Sequence, residues 1–221
     1  MATKEKAIME IKPLNIKEVP IRIVGDTPLI VHAWSEKAKR QMLEKQTKTT
    51  KTKGRDIRRP FEEFVNSMYW LTDKPTADSD EELEDLYVKA LEDGAKFGFP
   101  TNSIKMAANS AAYRAGWVSN QMQLRGSYFI KSEFGDFAEI KGCTPVIRED
   151  MVTVGISGTD LRYRGQFNEW YMDLILEYNA NGELTLEQIL NCVNLGGYSV
   201  GIGEWRPEKD GRFGTYHIAT K

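Results

Sequence analysis

Residues 166–197, QFNEWYMDLILEYNANGELTLEQILNCVNLGG, hold a strand, a turn and a helix in one run, and the rest of the chain can be read outward from them. The stretch from Gln166 to Asn179 is long, apolar and aromatic, a composition that suits a pleated, packed surface and predicts a central strand. Asn179 to Gly182 turns the chain. Thr185 and Gln188 stand at capping-box spacing ahead of Leu186, Ile189, Leu190 and Val193, so a helix begins there, and Gly196 reads as its end.

Downstream, residues 194–218, NLGGYSVGIGEWRPEKDGRFGTYHI, carry six glycines with Trp205, Arg206 and Lys209 among them, then a closing strand. Upstream, VPIRIVGDTPLIVHAW (residues 19–34) predicts a strand from Pro20 to Val24, a turn over residues 25–28, and a second apolar run from Leu29. FPTNSIKMAANSAAYRAG (residues 99–116) is the clearest helix: Thr101, Asn102 or Ser103 as N-cap, Ile104, Ala107, Ala108 and Ala111 as packing face, Gly116 as stop. Between it and the central strand, LRGSYFIKS, FAEIKG and MVTVGIS read as strands.

Two segments interrupt this alternation. Ser35 can cap a helix carrying Ala38, Met42 and Leu43. That pattern dissolves into EKQTKTTKTKGRDIRRP (residues 44–60), whose Lys45, Lys48, Lys51, Lys53, Arg55, Arg58 and Arg59 have almost no apolar company, so residues 44–59 are expected to form a mobile basic insertion. Pro60 then opens an amphipathic stretch with Phe61, Phe64, Val65, Met68 and Tyr69, and DSDEELEDLYVKALEDG (residues 78–94) a second with an acidic face. Residues 60–98 are therefore expected to be a helical insertion. The whole order suits an α+β fold, a single elaborated domain over 1–221, with a ferredoxin-like or RNA-recognition-like antiparallel sheet and helical and basic-loop insertions.

Composition removes several functions. The chain has 221 residues and a formal net charge of -2, so no global field attracts a polyanion and any nucleic-acid site must be local. Two cysteines and two histidines are too few for a disulfide scaffold or a Cys/His zinc site, and the acidic stretch matches no calcium loop. No cofactor and no catalytic residue is expected, because no Ser or Cys sits in a nucleophile motif. Without a bilayer-length apolar run or a signal-peptide core, the expectation is a soluble, cytoplasmic protein.

The glycine-rich stretch is neither a P-loop nor a dinucleotide fingerprint, since it follows a helix and precedes a strand. Its glycines still allow backbone amides close to a ligand, with Arg206, Lys209 and Arg212 for phosphates and Trp205 for stacking; taken alone, the stretch reads first as a long helix-to-strand turn with Asp210-Gly211 at its tip. The basic segment suits an arm on a nucleic-acid backbone or a solvated loop. The helix at 101–114 offers N-terminal amides to an anion, with Ser103, Lys105 and Asn109 beside them, although capping alone accounts for Thr101 to Ser103.

Three of these features occur in an order that resembles the RAMP superfamily, the CRISPR-associated repeat proteins whose backbone subunits coat a guide RNA. IRIVGDTPLIVHAW is similar to its first strand and following apolar segment. FPTNSIKMAANSAAYRAG is similar to its P-x-S-x-K-x-x-x-R helix start, with Asn109 where that pattern has arginine, and GGYSVGIGEWRPEKDGRFGTYHI resembles its C-terminal glycine-rich loop and last strand. The resemblance implies an RNA-recognition-like palm and side-by-side oligomers along one strand, Ser103 and Lys105 touching the backbone and residues from Gly201 and Gly203 to Arg206 lining its path. It also favours RNA over DNA.

The expected function is thus a non-enzymatic, oligomerising, single-stranded nucleic-acid-binding protein. Its expected contacts are Lys48, Lys51, Lys53, Arg55, Arg58, Arg59, Ser103, Lys105, Asn109, Gly201, Gly203, Trp205, Arg206 and Lys209, with Tyr198 and Phe213 as further stacking candidates. The alternative is a self-assembling structural or interaction protein, of a phage for instance, in which glycines serve turns and charged segments pair between subunits.

Overall fold

The computed structural model describes residues 13–34, 39, 42–44, 46–47, 58–155 and 158–220. Most of the basic insertion, residues 48–57, lies outside them, as do Ser35 and Ala38. The elements run β1 (Ile16–Gly25), β2 (Leu29–Val31), α1 (Pro60–Asn66), β3 (Tyr69–Trp70), α2 (Asp80–Glu92), β4 (Phe97–Pro100), α3 (Thr101–Arg114), α4 (Met122–Arg125), β5 (Tyr128–Lys131), β6 (Phe137–Ile140), β7 (Val146–Val154), β8 (Gly158–Phe167), β9 (Tyr171–Asn179), α5 (Leu186–Ser199), a short 3-10 turn (Pro207–Lys209) and β10 (Tyr216–Ile218). The protein is α+β with antiparallel sheets.

The largest sheet has the order β10-β1-β9-β5. The long apolar stretch becomes a central strand only from Tyr171: Gln166 and Phe167 instead end β8, the chain turns over residues 168–170, and β9 pairs with β1 from Tyr171 to Asn179 and with β5 on its other edge. Its alternation is strict. Met172, Leu174, Leu176 and Tyr178 are buried, whereas Tyr171, Asp173, Ile175 and Glu177 are half-buried on the opposite face, as the two-residue period of a strand requires. Helices α3 and α5 pack together, α5 also against β10 and α3 against β5. On the other face the charges are paired: Arg22 with Asp173 at 2.7 Å, Lys141 with Asp173 at 3.1 Å, and Lys131 with Glu177.

The capping box at α5 is present, with Thr185 Oγ1 accepting from the Gln188 amide and the Gln188 side chain accepting from the Thr185 amide. Gly196, however, does not end the helix, which continues to Ser199. Gly196 and Gly197 are buried, and a Cβ at 196 would stand 2.6 Å from the Ala108 amide nitrogen of α3. The glycines here permit close approach of two backbones. They do not act as breakers.

The start of α3 also departs from expectation. The N-cap position is Pro100, without a side-chain cap, because β4 runs directly into the helix and the Thr101 amide and hydroxyl both donate to the Asp136 carbonyl. Asn102 and Ser103 therefore lie within the first turn with no capping duty. Gly116, at φ +74, follows the helix as predicted.

Residues 60–98 are more than helices. Alongside α1 and α2 they supply β3, which pairs with β4, and β4 in turn pairs with β6 in a second sheet; β2, β8 and β7 form a third. Ser79 caps α2 by accepting from the Glu82 amide. Ser67, buried after α1, donates to the Phe64 carbonyl and accepts from the Gly165 amide, which joins α1 to β8. A single apolar cluster, including Ile23, Leu29, Phe64, Leu83, Phe97, Ile104, Phe167, Leu174 and Val193, runs beneath all three sheets.

Candidate nucleic-acid interface

One cavity of about 590 Å³ opens where α3 meets the glycine-rich loop. From α3 it is lined by Asn102, Ser103, Lys105, Met106, Asn109 and Ser110, and from the loop by Gly201, Ile202, Gly203, Glu204, Arg206 and Glu208. Tyr69 of β3, Phe99 of β4, His32 just past β2, and Gln121 and Arg125 complete it. Six of the sequence-derived contacts, Ser103, Lys105, Asn109, Gly201, Gly203 and Arg206, thus share one surface although about ninety residues separate the two groups. Its size lies within the range of ligand sites, roughly 300–1,000 Å³.

The loop is not an open cradle of amides. The Gly201 amide donates to Gly196 O, that of Ile202 to Gly214 O, that of Glu204 to Ile30 O and that of Gly214 to Pro28 O, so much of its backbone donor capacity is consumed internally. Its glycines are required by close approach: a Cβ at Gly203 (φ +77) would overlap the Ile30 carbonyl oxygen, and one at Gly211 the Trp205 carbonyl oxygen. Chain reversal and side-chain presentation are what this backbone provides.

The charged lining divides into spent and open groups. Arg206 donates twice to Glu208, at 3.1 and 2.8 Å, and once to the Gly203 carbonyl, so it struts the loop. Glu208 also meets Arg114 at 2.6 Å; Arg206 above all, with Arg114 and Lys209, holds its carboxyl below the ordinary range. Lys105 donates to the Arg125 carbonyl at 2.7 Å and lies 4.3 Å from the centre of the Phe129 ring; partial burial depresses its pKa. An ammonium that has lost part of its hydration gains when an anion approaches. The exposed Arg125 guanidinium has no ion pair or hydrogen bond among the described residues and is the other cation open to a ligand. Asn109 is buried and accepts from the Tyr128 hydroxyl at 2.7 Å, which fixes its amide at the cavity wall.

Other expected contacts fall elsewhere. Lys48, Lys51, Lys53 and Arg55 lie outside the described residues. Arg58 bonds to Glu63 and Asp160, both at 2.8 Å, and donates to the Leu161 carbonyl; Arg59 pairs with Asp80 at 3.0 Å and Glu62 at 3.3 Å. These two arginines tie α1 to β8 and α2, a structural use the basic composition concealed. Trp205, Lys209 and Tyr198 do not line the cavity, and the Phe213 ring is covered by Arg148 at 4.7 Å.

Sequence reasoning did not assign His32, Tyr69, Phe99, Arg125 or Glu204. The available signals were a polar His32 ending an apolar run and an acidic Glu204 inside a glycine-rich basic stretch. Among the described residues, no group of three or more His, Cys, Asp or Glu side chains could hold a metal, and no helix is long and apolar enough to cross a membrane. No protein-family model matches the sequence, and no curated protein matches it significantly.

Proposed function

We propose that this chain binds single-stranded nucleic acid, RNA in preference to DNA, in the cleft between α3 and the glycine-rich loop, acting by binding and not by catalysis. The observation that carries the reading is the meeting of Ser103, Lys105 and Asn109 with the 201–208 loop around one cavity. Lys105 and Arg125 supply the open positive charge, Ser103 and Asn102 hydrogen-bonding groups, and Tyr69, Phe99 and Met106 an apolar wall for a base.

The strand order supports a ferredoxin-like core. Counting β1, β5, β9 and β10 as first to fourth in order of appearance, the sheet reads fourth-first-third-second from edge to edge, with α3 and α5 as the two crossovers. That arrangement fits the RAMP resemblance and, with it, side-by-side oligomers in the cytoplasm. The paired charges on the sheet's outer face favour the α3 cleft over the sheet as the nucleic-acid surface.

The test is a titration of labelled single-stranded RNA and DNA across several salt concentrations. Affinity falls steeply as salt rises, because phosphate contacts release counterions. Lys105→Ala and Arg125→Ala each weaken binding across all sequences and reduce the salt slope by about one, with folding unchanged. Absence of binding at low salt would overturn the reading and leave the self-assembling structural role in its place.

A further inference from the structure

A cleft for a polyanion has no electrostatic reason to present a carboxylate, yet this one presents two. Glu208 is accounted for by Arg206 and Arg114, which use its oxygens. Glu204 is different. Its Oε1 is ion-paired with His32 Nδ1 at 3.6 Å and its Oε2 with Arg164 Nη2 at 3.9 Å, both longer than a hydrogen bond, and the residue lines the cavity with its side chain partly exposed. His32 foremost, together with Arg164 and Arg206, holds its pKa below the ordinary value, which keeps it ionised and acceptor-only at neutral pH.

The backbone is shaped to put it there. Glu204 sits between Gly203 at φ +77 and Trp205 at φ +51, a conformation that is uncommon for a residue other than glycine. The Glu204 amide is tied to Ile30 O at 2.9 Å, and Trp205 O accepts from the Phe213 amide at 3.0 Å. Arg164 is itself buried and anchored by Asp150 at 3.2 Å, so the positive charge behind Glu204 is fixed as well. Tyr69, whose pKa is raised by burial and then by the Glu204 charge, forms the adjoining wall.

We propose that Glu204 reads a base: its carboxylate accepts the two parallel N–H donors, N1–H and N2–H, on the Watson–Crick edge of a guanine turned out of the strand into the cavity. This rests on the cleft being a single-strand site. Guanine alone among the four common bases offers adjacent ring and exocyclic donors that match both oxygens of a carboxylate. Cytosine and adenine present one exocyclic donor beside a ring acceptor, and uracil or thymine sets its ring N–H between two carbonyls that repel the charge. Lys105 and Arg125 take the flanking phosphates.

The experiment is fluorescence anisotropy at fixed salt with labelled hexanucleotides, uridine RNA and thymidine DNA, each with one central position varied among G, inosine, A, C and U or T. Wild-type protein binds the guanine oligomer at least about fivefold more tightly than the uridine or thymidine one, the low end for a bidentate base contact. Inosine, which lacks the N2 amine, falls between. In Glu204→Gln the guanine preference shrinks to within about twofold, while affinity for the uridine oligomer is kept or increased because a like charge has gone. Equal wild-type affinities for all central bases, a guanine preference that survives Glu204→Gln, or an equal loss for every oligomer would each overturn the assignment while leaving the cleft as a binding site. Absence of binding by every oligomer overturns both.

Discussion

Replacing Gly196 by alanine tests whether the α3–α5 contact that frames the cleft is set by backbone approach. In an exposed helix this change is favourable by about 1 kcal/mol, because glycine loses the most entropy on becoming helical. Here the added Cβ would lie 2.6 Å from Ala108 N, 2.7 Å from Ala108 Cα and 2.9 Å from Ala107 C, whereas ordinary contact begins at 3.4 Å. All three atoms are backbone, so no rotamer change relieves them and the helices must part by roughly 0.8 Å at their closest point. Overpacking of this kind costs about 2–3 kcal/mol, and subtracting the gain of about 1 kcal/mol leaves a net loss of about 1–2 kcal/mol. For a chain of this size that lowers Tm by about 2–8 °C. Thermal unfolding by circular dichroism, with a urea titration to confirm an unchanged m-value, measures it. A Tm that is unchanged or raised would refute the close-approach account.

Asp150→Ala removes the carboxylate that holds Arg164 at 3.2 Å and Arg148 at 2.8 Å. It leaves a buried guanidinium without its main partner, a loss of about 3–5 kcal/mol read from the urea midpoint. Thr185→Ala breaks the capping box of α5 and lowers stability by about 1 kcal/mol in the same assay. The Glu208 carboxyl sits below its ordinary value of 4.5 in the folded protein, so its stabilisation is complete above about pH 4.5 and is lost as pH falls through the folded value. Its contribution to Tm is therefore flat from pH 7 to pH 5 and is lost as the pH falls below the ordinary carboxylate value of 4.5, and Glu208→Gln shrinks that acid-induced drop.

Much of the element order was legible because the deciding interactions are local. The apolar run of β9, the capping box at Thr185, the amphipathic stretch that becomes α2 and Gly116 after α3 all follow from residues near in the chain. The basic segment was legible only as composition: Arg58 and Arg59 read as cations for a ligand, but Asp160 and Asp80, brought near by packing, take them up. The internal partner of Arg206 was not legible for a related reason, since Glu208 is two residues away yet the turn that aims it depends on the loop's hydrogen bonds, such as that of the Glu204 amide to Ile30 O.

The sequence by itself determined the α+β class, the central strand, the main helices and the two groups, around Ser103–Asn109 and Gly201–Arg206, that carry the polar site. Tertiary structure decided that these groups face one cavity, that Tyr69, Arg125, His32 and Glu204 join them, and that Gly196 continues a helix. A glycine can end a helix or admit a neighbouring backbone, and an arginine can meet a ligand or an internal carboxylate. For Gly196 and for Arg58 and Arg59 the outcome is fixed by atoms remote in the chain, such as the amide of Ala108, whose position is a property of the folded packing and not of the local sequence.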